Sequence, residues 1–233
     1  MKLFIDSADI EQIQRLNDYF PITGVTTNPT ILVDSKRSYM EVLKEIRSVI
    51  GENKEIFVQA LGETAEEILE ESRFITEQLS GEVIVKIPAT EEGIKAVKLL
   101  SKENIPTLVT TVYTAFQALI AAMAGAKYVA PYVNRIDNLA GDGVKVVTEI
   151  SKLFTEYKLD CEILAASFKN LQQVHEVCLA GASSVTVAPD LIGKMVTFPA
   201  TSTDVNVFKE QWKSAYGDEC TTLFNSQDLL NKK

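Results

Sequence analysis

The chain has 233 residues, which suits one large domain or two small ones. Apolar residues make up 46% of it and charged residues 24%, as in an ordinary globular protein that can bury a large core. The formal net charge of -9 argues against a nucleic-acid partner, because phosphate backbones are bound by clustered Lys and Arg. A small anionic ligand stays compatible with this charge, because it responds to the local field of its cleft.

Cysteine and histidine usage gives little indication of metal or redox chemistry. Cys161, Cys178 and Cys220 form no CxxC motif, so we expect reduced thiols in a cytoplasmic protein. His175 has no neighbours at metal-ligand spacing. We also expect no signal peptide and no membrane span, because no basic and apolar leader precedes the first strand and no apolar run approaches ~20 residues.

Short β-branched segments alternate with amphipathic segments along the chain, which predicts βαβ units and a parallel sheet. Helix boundaries carry capping signals, such as the capping box of Thr64 and Glu67 and the C-terminal glycines Gly125 and Gly181. The predicted strands are Leu3–Ile5, Ile22–Thr26, Ile56–Gln59, Val83–Ile87, Thr107–Thr110, Tyr128–Tyr132, Glu162–Ala166 and Ser184–Val187. The predicted helices between them include Glu66–Leu79, Glu92–Lys102, Ala115–Ala124, Gly143–Tyr157 and Leu171–Ala180.

Eight parallel strands either close into a barrel or form an open doubly wound sheet. No GxGxxG or GxxxxGK[ST] motif follows a strand, so open nucleotide-binding sheets lose support. We therefore predict a single (β/α)8 barrel with an additional C-terminal helix near Asp204–Ala215. The barrel domain with this helix is expected to span residues 1–217, and residues 218–233 are expected to form a polar, flexible tail.

Polar side chains fall at the ends of seven of the predicted strands. In a barrel these ends meet at one rim, where active sites lie. Taken singly, each residue has an ordinary explanation: Asp6 can cap a helix, Arg135 can pair with Asp137, and Lys169 can be solvated. Their convergence on one rim favours function. The rim residues are Asp6, Thr26, Asn28, Gln59, Lys86, Thr110, Tyr132, Arg135, Ser167 and Lys169.

Lys86 is the least ordinary of these residues, because it lies in the apolar segment Val83–Pro88. Burial there disfavours the ammonium form and lowers the pKa of a lysine. A neutral amine can attack a carbonyl and form an imine, which then acts as an electron sink when a carbon–carbon bond breaks. The alternative is a structural lysine neutralised by Asp6 or another carboxylate.

The sequence resembles the small transaldolase family, and within it the fructose-6-phosphate aldolases, over roughly residues 1–217. Five blocks in the same order and spacing carry the resemblance: Leu-Phe-Ile-Asp at 3–6, Gly-Val-Thr-Thr-Asn-Pro-Thr at 24–30, Val-Lys-Ile-Pro at 85–88, Ala-Pro-Tyr-Val-Asn-Arg-Ile-Asp at 130–137 and Leu-Ala-Ala-Ser-Phe-Lys at 164–169.

The resemblance implies a role for each matching residue. Lys86 is expected to be the Schiff-base lysine, and Thr110 to position a catalytic water. Asp6 and Asn28 are expected to bind the hydroxyls of the donor ketose and to help proton movement, with Asp6 as a catalytic residue, and Thr26 is expected to bind the substrate as well. The terminal phosphate site is expected to consist of a guanidinium, a hydroxyl and an ammonium, which suit a phosphate dianion: Arg135, Ser167 and Lys169.

Three positions separate the two branches of the family. Transaldolases usually carry Glu, Phe and often Ser where this chain has Gln59, Tyr132 and Ala130, which are residues of the aldolase type. A glutamine amide cannot titrate, so we hypothesise that the Tyr132 phenol is the general acid/base, and that Gln59 and Thr110 hold the water.

These residues predict reversible cleavage of fructose 6-phosphate to dihydroxyacetone and glyceraldehyde 3-phosphate, a step of carbohydrate metabolism that needs no metal or other cofactor. A transaldolase of the pentose phosphate pathway is the alternative, and a non-catalytic barrel that binds sugar phosphates is a further one. The resemblance also implies a homo-oligomer, a pentamer or decamer. Val205, Phe208 and Trp212 fit a docking stripe on the C-terminal helix, although packing on their own barrel is an equally good interpretation.

Overall fold

The structure, a computed structural model, describes residues 1–216, so the predicted tail at 218–233 lies outside the described residues. Two compact units are present: the first spans Met1–Met195 and the second begins at Val196. The first unit holds eight parallel strands that pair in chain order, and the first strand pairs with the eighth to close a barrel. The second contains one described helix. The predicted fold class, a (β/α)8 barrel with an additional C-terminal helix, is confirmed.

The strands of the barrel are β1 (Lys2–Asp6), β2 (Gly24–Thr26), β3 (Glu55–Gln59), β4 (Val83–Pro88), β5 (Thr107–Val112), β6 (Tyr128–Pro131), β7 (Glu162–Ala165) and β8 (Ser184–Val187). The helices of the same unit are α1 (Ile10–Tyr19), α2 (Pro29–Asp34), α3 (Tyr39–Ile50), α4 (Ala65–Gln78), α5 (Glu91–Lys102), α6 (Ala115–Met123), α7 (Val133–Asn138), α8 (Gly143–Glu156), α9 (Leu171–Leu179) and α10 (Pro189–Lys194). The second unit contributes α11 (Pro199–Tyr216). Within residues 1–216, no helix is long and apolar enough to cross a membrane.

Capping residues set the helix boundaries as the sequence predicted. Thr64 and Glu67 form a reciprocal capping box at the start of α4. Gly125 and Gly181 adopt φ angles of +98° and +99° just beyond α6 and α9, a conformation that favours glycine. The N-cap of α1 is Asp9, so the neighbouring Asp6 does not cap this helix.

Alternation along the strands divides the buried residues into two layers. The larger layer fills the space between the barrel and its helices and includes Val25, Val85 and Val109. The smaller layer fills the barrel interior, where Phe57 packs edge-on against Phe4 and Tyr128 with ring centroids 5.1 and 5.4 Å apart. This aromatic layer closes the middle of the barrel, so the two ends are separate environments.

Charged residues close the amino end of the barrel below the aromatic layer. Lys2 Nζ donates to Glu162 at 2.6 Å and to the Tyr128 hydroxyl at 2.7 Å. Lys127 Nζ donates to Glu55 at 2.7 Å, and the Tyr128 hydroxyl donates to the same carboxylate at 2.9 Å. We call these five residues the basal network, in which every carboxylate has a cationic partner.

Candidate active site

The carboxyl ends of the strands surround a cavity of about 190 Å³. Its walls come from most strands of the barrel and from the segments that follow β2, β6 and β7, while Leu108, Leu164 and Ala166 of the interior layer contribute apolar surface. The residues predicted from sequence that line it are Asp6, Thr26, Asn28, Lys86, Thr110, Ala130, Tyr132, Arg135 and Ser167.

Lys86 projects from β4 into this cavity and is 6% exposed. Its Nζ donates a hydrogen bond to the Thr27 carbonyl oxygen. Burial lowers the pKa of Lys86, and the nearby Asp6 carboxylate opposes this shift. Among the described residues Lys86 forms no salt bridge. The arrangement therefore differs from the paired structural lysine that the sequence left open, and it favours a neutral amine.

A chain of hydrogen bonds places Asp6 beside the lysine. The Thr26 hydroxyl donates to Asp6 Oδ1 at 2.7 Å and lies 2.6 Å from the hydroxyl of Thr186 on β8. Sequence reasoning missed Thr186. Because Val185 and Val187 pack in the outer layer, alternation places Thr186 in the interior, and this pattern in β8 could have revealed it.

Tyr132 follows β6 directly and presents its phenol to the cavity. Its hydroxyl lies 2.8 Å from Thr110 Oγ1, so the predicted general acid/base and the threonine predicted to hold the water are in direct contact. Burial raises the pKa of Tyr132. The Thr110 hydrogen bond and the Arg135 charge act to lower that pKa, whereas Asp6 and Tyr113 raise it further. The phenol is therefore held neutral at ordinary pH.

Two cationic or polar groups lie on the side of the cavity formed by the segments after β6 and β7. The Arg135 guanidinium stacks over the Tyr132 ring at 4.8 Å and lines the cavity, and it forms no salt bridge with Asp137. Asp137 instead accepts hydrogen bonds from the Gly143 backbone and from Gln173. The Ser167 hydroxyl completes this side of the cavity. A guanidinium beside a hydroxyl is suited to an anionic ligand.

Asn28 both caps a helix and lines the cavity. Its Oδ1 caps α2 by accepting from Ile31 N at 3.0 Å. The amide nitrogen of the same side chain remains available as a hydrogen-bond donor at the cavity wall. Such a donor is suited to a sugar hydroxyl.

Two predicted residues lie apart from this group. Gln59 is the register partner of Lys86 across β3 and β4, yet it does not line the Lys86 cavity and instead lines a neighbouring apolar pocket of about 350 Å³ with Leu61 and Phe74. Lys169 is exposed at the start of the segment before α9 and does not line the cavity. The roles predicted for Gln59 and Lys169 stay predictions.

Metal-ligating residues do not cluster in the part of the chain that the structure describes: residues 1–216 contain no group of three or more His, Cys, Asp or Glu side chains placed to hold a metal ion. His175, the one histidine, is exposed on α9.

Comparisons with known proteins place this geometry in a wider context. A solved structure of a mandelate oxidase mutant with a monooxide FMN adduct superposes with a TM-score of 0.56 at 16% sequence identity. The match covers 78% of this chain and 59% of the mandelate oxidase chain, and at this identity it shows a common barrel fold alone. The sequence matches the family described as Transaldolase/Fructose-6-phosphate aldolase over residues 3–232, nearly its whole length. The chain therefore belongs to the transaldolase/fructose-6-phosphate aldolase family of enzymes.

Proposed function

We propose that this member of the family is a fructose-6-phosphate aldolase, which reversibly cleaves fructose 6-phosphate to dihydroxyacetone and glyceraldehyde 3-phosphate through an imine on Lys86. One observation carries the proposal: a phenol, Tyr132, hydrogen-bonded to Thr110, shares the cavity of a buried lysine without an ion pair. Transaldolases usually have phenylalanine at the position of Tyr132, so they lack this proton donor.

The reaction begins at Lys86. Its neutral Nζ attacks the C2 carbonyl of the open-chain ketose, the adduct takes up one proton from solvent, water leaves, and a protonated imine forms. The charge of the Asp6 carboxylate acts to raise the pKa of Lys86, and the same carboxylate stabilises the positive charge that develops on this nitrogen. The imine then withdraws electrons from the C3–C4 bond.

Bond cleavage requires that one proton leave the C4 hydroxyl and another reach C3. The C4 hydroxyl proton passes to the phenol oxygen of the Tyr132–Thr110 pair, directly or through one water, while the phenol gives up its own proton toward C3 and so stays neutral. Glyceraldehyde 3-phosphate departs as its C4–O bond becomes a carbonyl. The remaining enamine takes a proton at C3 from the same pair, and hydrolysis of the imine releases dihydroxyacetone and the free Lys86 amine.

Recognition of the substrate uses both sides of the cavity. Asn28 offers its amide to the hydroxyls of the three-carbon unit, while Arg135 and Ser167 bind the phosphate of the aldehyde part. Ala130 leaves space above the interior layer that a larger side chain would fill.

Incubation with fructose 6-phosphate alone, and then with added erythrose 4-phosphate, tests this function. We expect free dihydroxyacetone and glyceraldehyde 3-phosphate without any acceptor. Product formation only after erythrose 4-phosphate is added would instead identify a transaldolase.

Borohydride reduction in the presence of the ketose, followed by mass spectrometry, tests the imine. We expect a reduced adduct on Lys86 that is lost in Lys86→Met and retained in Lys98→Met, because Lys98 is an exposed lysine of α5. An unmodified wild-type protein would support a barrel that only binds sugar phosphates.

A further inference from the structure

Strand β5 contains an unusual backbone conformation one residue beyond Thr110. Thr111 has a φ of +55°, in the left-handed region that β-branched residues rarely adopt. Its hydroxyl donates to the Thr110 carbonyl oxygen at 2.7 Å, and that same oxygen accepts from Ala89 N at 3.0 Å. The left-handed residue is therefore fixed by its own hydroxyl while Thr110 stays hydrogen-bonded toward β4.

The side chains on either side of Thr111 show what this conformation does. Leu108 and Thr110 line the cavity, and Val109 packs in the outer layer, as strict alternation requires. Alternation would next place Val112 in the interior, but Val112 also packs in the outer layer. The pairing of β5 with β6 shifts between Val109 and Val112, so Thr111 is the additional residue of a β-bulge.

This bulge determines where Tyr132 lies. The Tyr132 backbone N–H donates to the Val112 carbonyl oxygen at 3.0 Å, and its phenol lies 2.8 Å from Thr110 Oγ1. The two anchors of Tyr132 are therefore the residues directly before and after Thr111. In a regular strand the carbonyl of Val112 would move relative to the Thr110 hydroxyl, and the two anchors could not hold Tyr132 in its present position at the same time.

We propose that Thr111 is a positioning residue for proton transfer, which uses its left-handed backbone and its hydroxyl bond to hold Tyr132 against Thr110 at the mouth of the Lys86 cavity. The proposal rests on the proposed function, in which Tyr132 moves the proton. Thr111 itself does not line the cavity. A left-handed threonine is unfavourable in isolation and persists where the surrounding structure imposes it, as often happens beside active sites.

Three substitutions separate the hydroxyl from the backbone conformation. Thr111→Val keeps the branched shape but removes the donor to the Thr110 carbonyl, so the bulge loses its anchor. Thr111→Ser keeps the donor, and Thr111→Gly adopts positive φ without steric cost. Thr107→Val is the matched control, because it makes the same change in the same strand at the opposite end of the barrel.

We measure kcat and KM for fructose 6-phosphate cleavage together with the yield of the reduced Lys86 adduct. In Thr111→Val we expect kcat to fall about tenfold or more, because small misplacements of a reacting group are costly. KM and the adduct yield should stay within about twofold, since neither depends on Tyr132. Thr111→Ser, Thr111→Gly and Thr107→Val should retain kcat within about threefold.

A wild-type kcat in Thr111→Val would overturn the proposal. A fall of about tenfold in the kcat of Thr111→Gly would also overturn it, and this second test remains valid if the valine variant does not fold. A parallel fall in kcat, adduct yield and thermal stability in Thr111→Val would also overturn it, since that pattern indicates a general structural role. A crystal structure of Thr111→Val without substrate gives an independent measurement: we expect the Thr110–Tyr132 hydrogen bond to be broken. If wild-type protein forms no adduct but this bond breaks, the proposed function fails while the positioning role remains.

Discussion

At the amino end of the barrel, Lys2 and Lys127 reach carboxylates at 2.6 and 2.7 Å, whereas Lys86 at the carboxyl end donates to a backbone carbonyl and forms no salt bridge among the described residues. The two ends use the same residue type for different purposes. At the amino end each ammonium has a carboxylate partner, and these pairs contribute to stability, while burial without a pair lowers the pKa of Lys86 and favours the neutral amine. We expect changes at the basal network to affect unfolding and changes around Lys86 to affect turnover.

Replacing Lys86 should have the largest effect. Lys86→Met removes the nucleophile, so we expect turnover of fructose 6-phosphate to fall by about a thousandfold or more, with no borohydride adduct. The free energy of unfolding should rise in Lys86→Met, because methionine removes the cost of burying an amine. Turnover near the wild-type level would mean that Lys86 does not form the imine.

The stability gain of Lys86→Met has a defined pH dependence. The pKa of Lys86 is lower in the folded chain than its ordinary value of 10.5, so between those two values the unfolded chain binds more protons. The free energy of unfolding of the wild type therefore rises with pH across that window, and Lys86→Met should lose this contribution. Urea unfolding at several pH values measures it, with Lys98→Met as the control that keeps the slope.

Tyr132→Phe should have the second largest effect. Loss of the phenol removes the proton donor that contacts Thr110, so we expect turnover to fall by about a hundredfold to ten-thousandfold. The Lys86 adduct should still form, because imine formation does not use Tyr132. Tyr157→Phe, which removes an exposed hydroxyl, is the control. Unchanged turnover in Tyr132→Phe would show that another group carries out the proton transfer.

At the opposite end, Glu55→Gln should lower stability and leave turnover intact. The substitution removes the charge that Lys127 and Tyr128 share, and we expect a loss of about 1–3 kcal/mol in the free energy of unfolding. Denaturant unfolding and a turnover assay at 25 °C measure the two effects. Glu66→Gln, in an exposed pair with Lys95, should leave both unchanged. A specific loss of turnover in folded Glu55→Gln would contradict the separation of the two ends.

Thr107→Val should have the smallest effect. The Thr107 hydroxyl is buried and has no hydrogen-bond partner within residues 1–216. A methyl group of the same shape relieves that loss of hydration, so we expect the free energy of unfolding to stay level or rise by up to about 1 kcal/mol. A clear destabilisation in the same unfolding assay would indicate that the hydroxyl binds a water molecule.

The sequence predicted the barrel because strands and helices alternate along the whole chain, and each further strand–helix unit supports the same fold. It predicted most of the cavity because strand ends share one rim. Short elements were harder to predict: α2, α7 and α10 have six residues each, fewer than two helical turns, so the apolar pattern of a helix cannot repeat in them. The predicted strand Ile22–Thr26 starts later, at Gly24, where an added Cβ would lie 2.0 Å from the Glu55 carbonyl oxygen.

The hydrophobic pattern of the sequence could not predict which pocket a residue lines or where the backbone adopts a positive φ. Gln59 has the expected register beside Lys86, but it lines the apolar pocket and not the Lys86 cavity, and the register alone does not predict this. Thr111 reads as part of a regular β-branched strand, and its positive φ becomes visible only through the packing of Val112. The basal network joins residues up to 160 positions apart, so local pattern could not reveal it.

The hydrogen bond between Thr26 and Thr186 joins residues 160 positions apart and connects β2 with the last strand. A nascent chain that carries only the first four strands already contains Lys86 but no closed cavity around it, so we expect this amine to be mostly protonated, as in any solvated lysine. Under the proposed function, we expect the reactivity of Lys86 toward ketoses to rise only when the final strand completes the barrel. Formation of the borohydride adduct on Lys86 would then report that the barrel has closed completely.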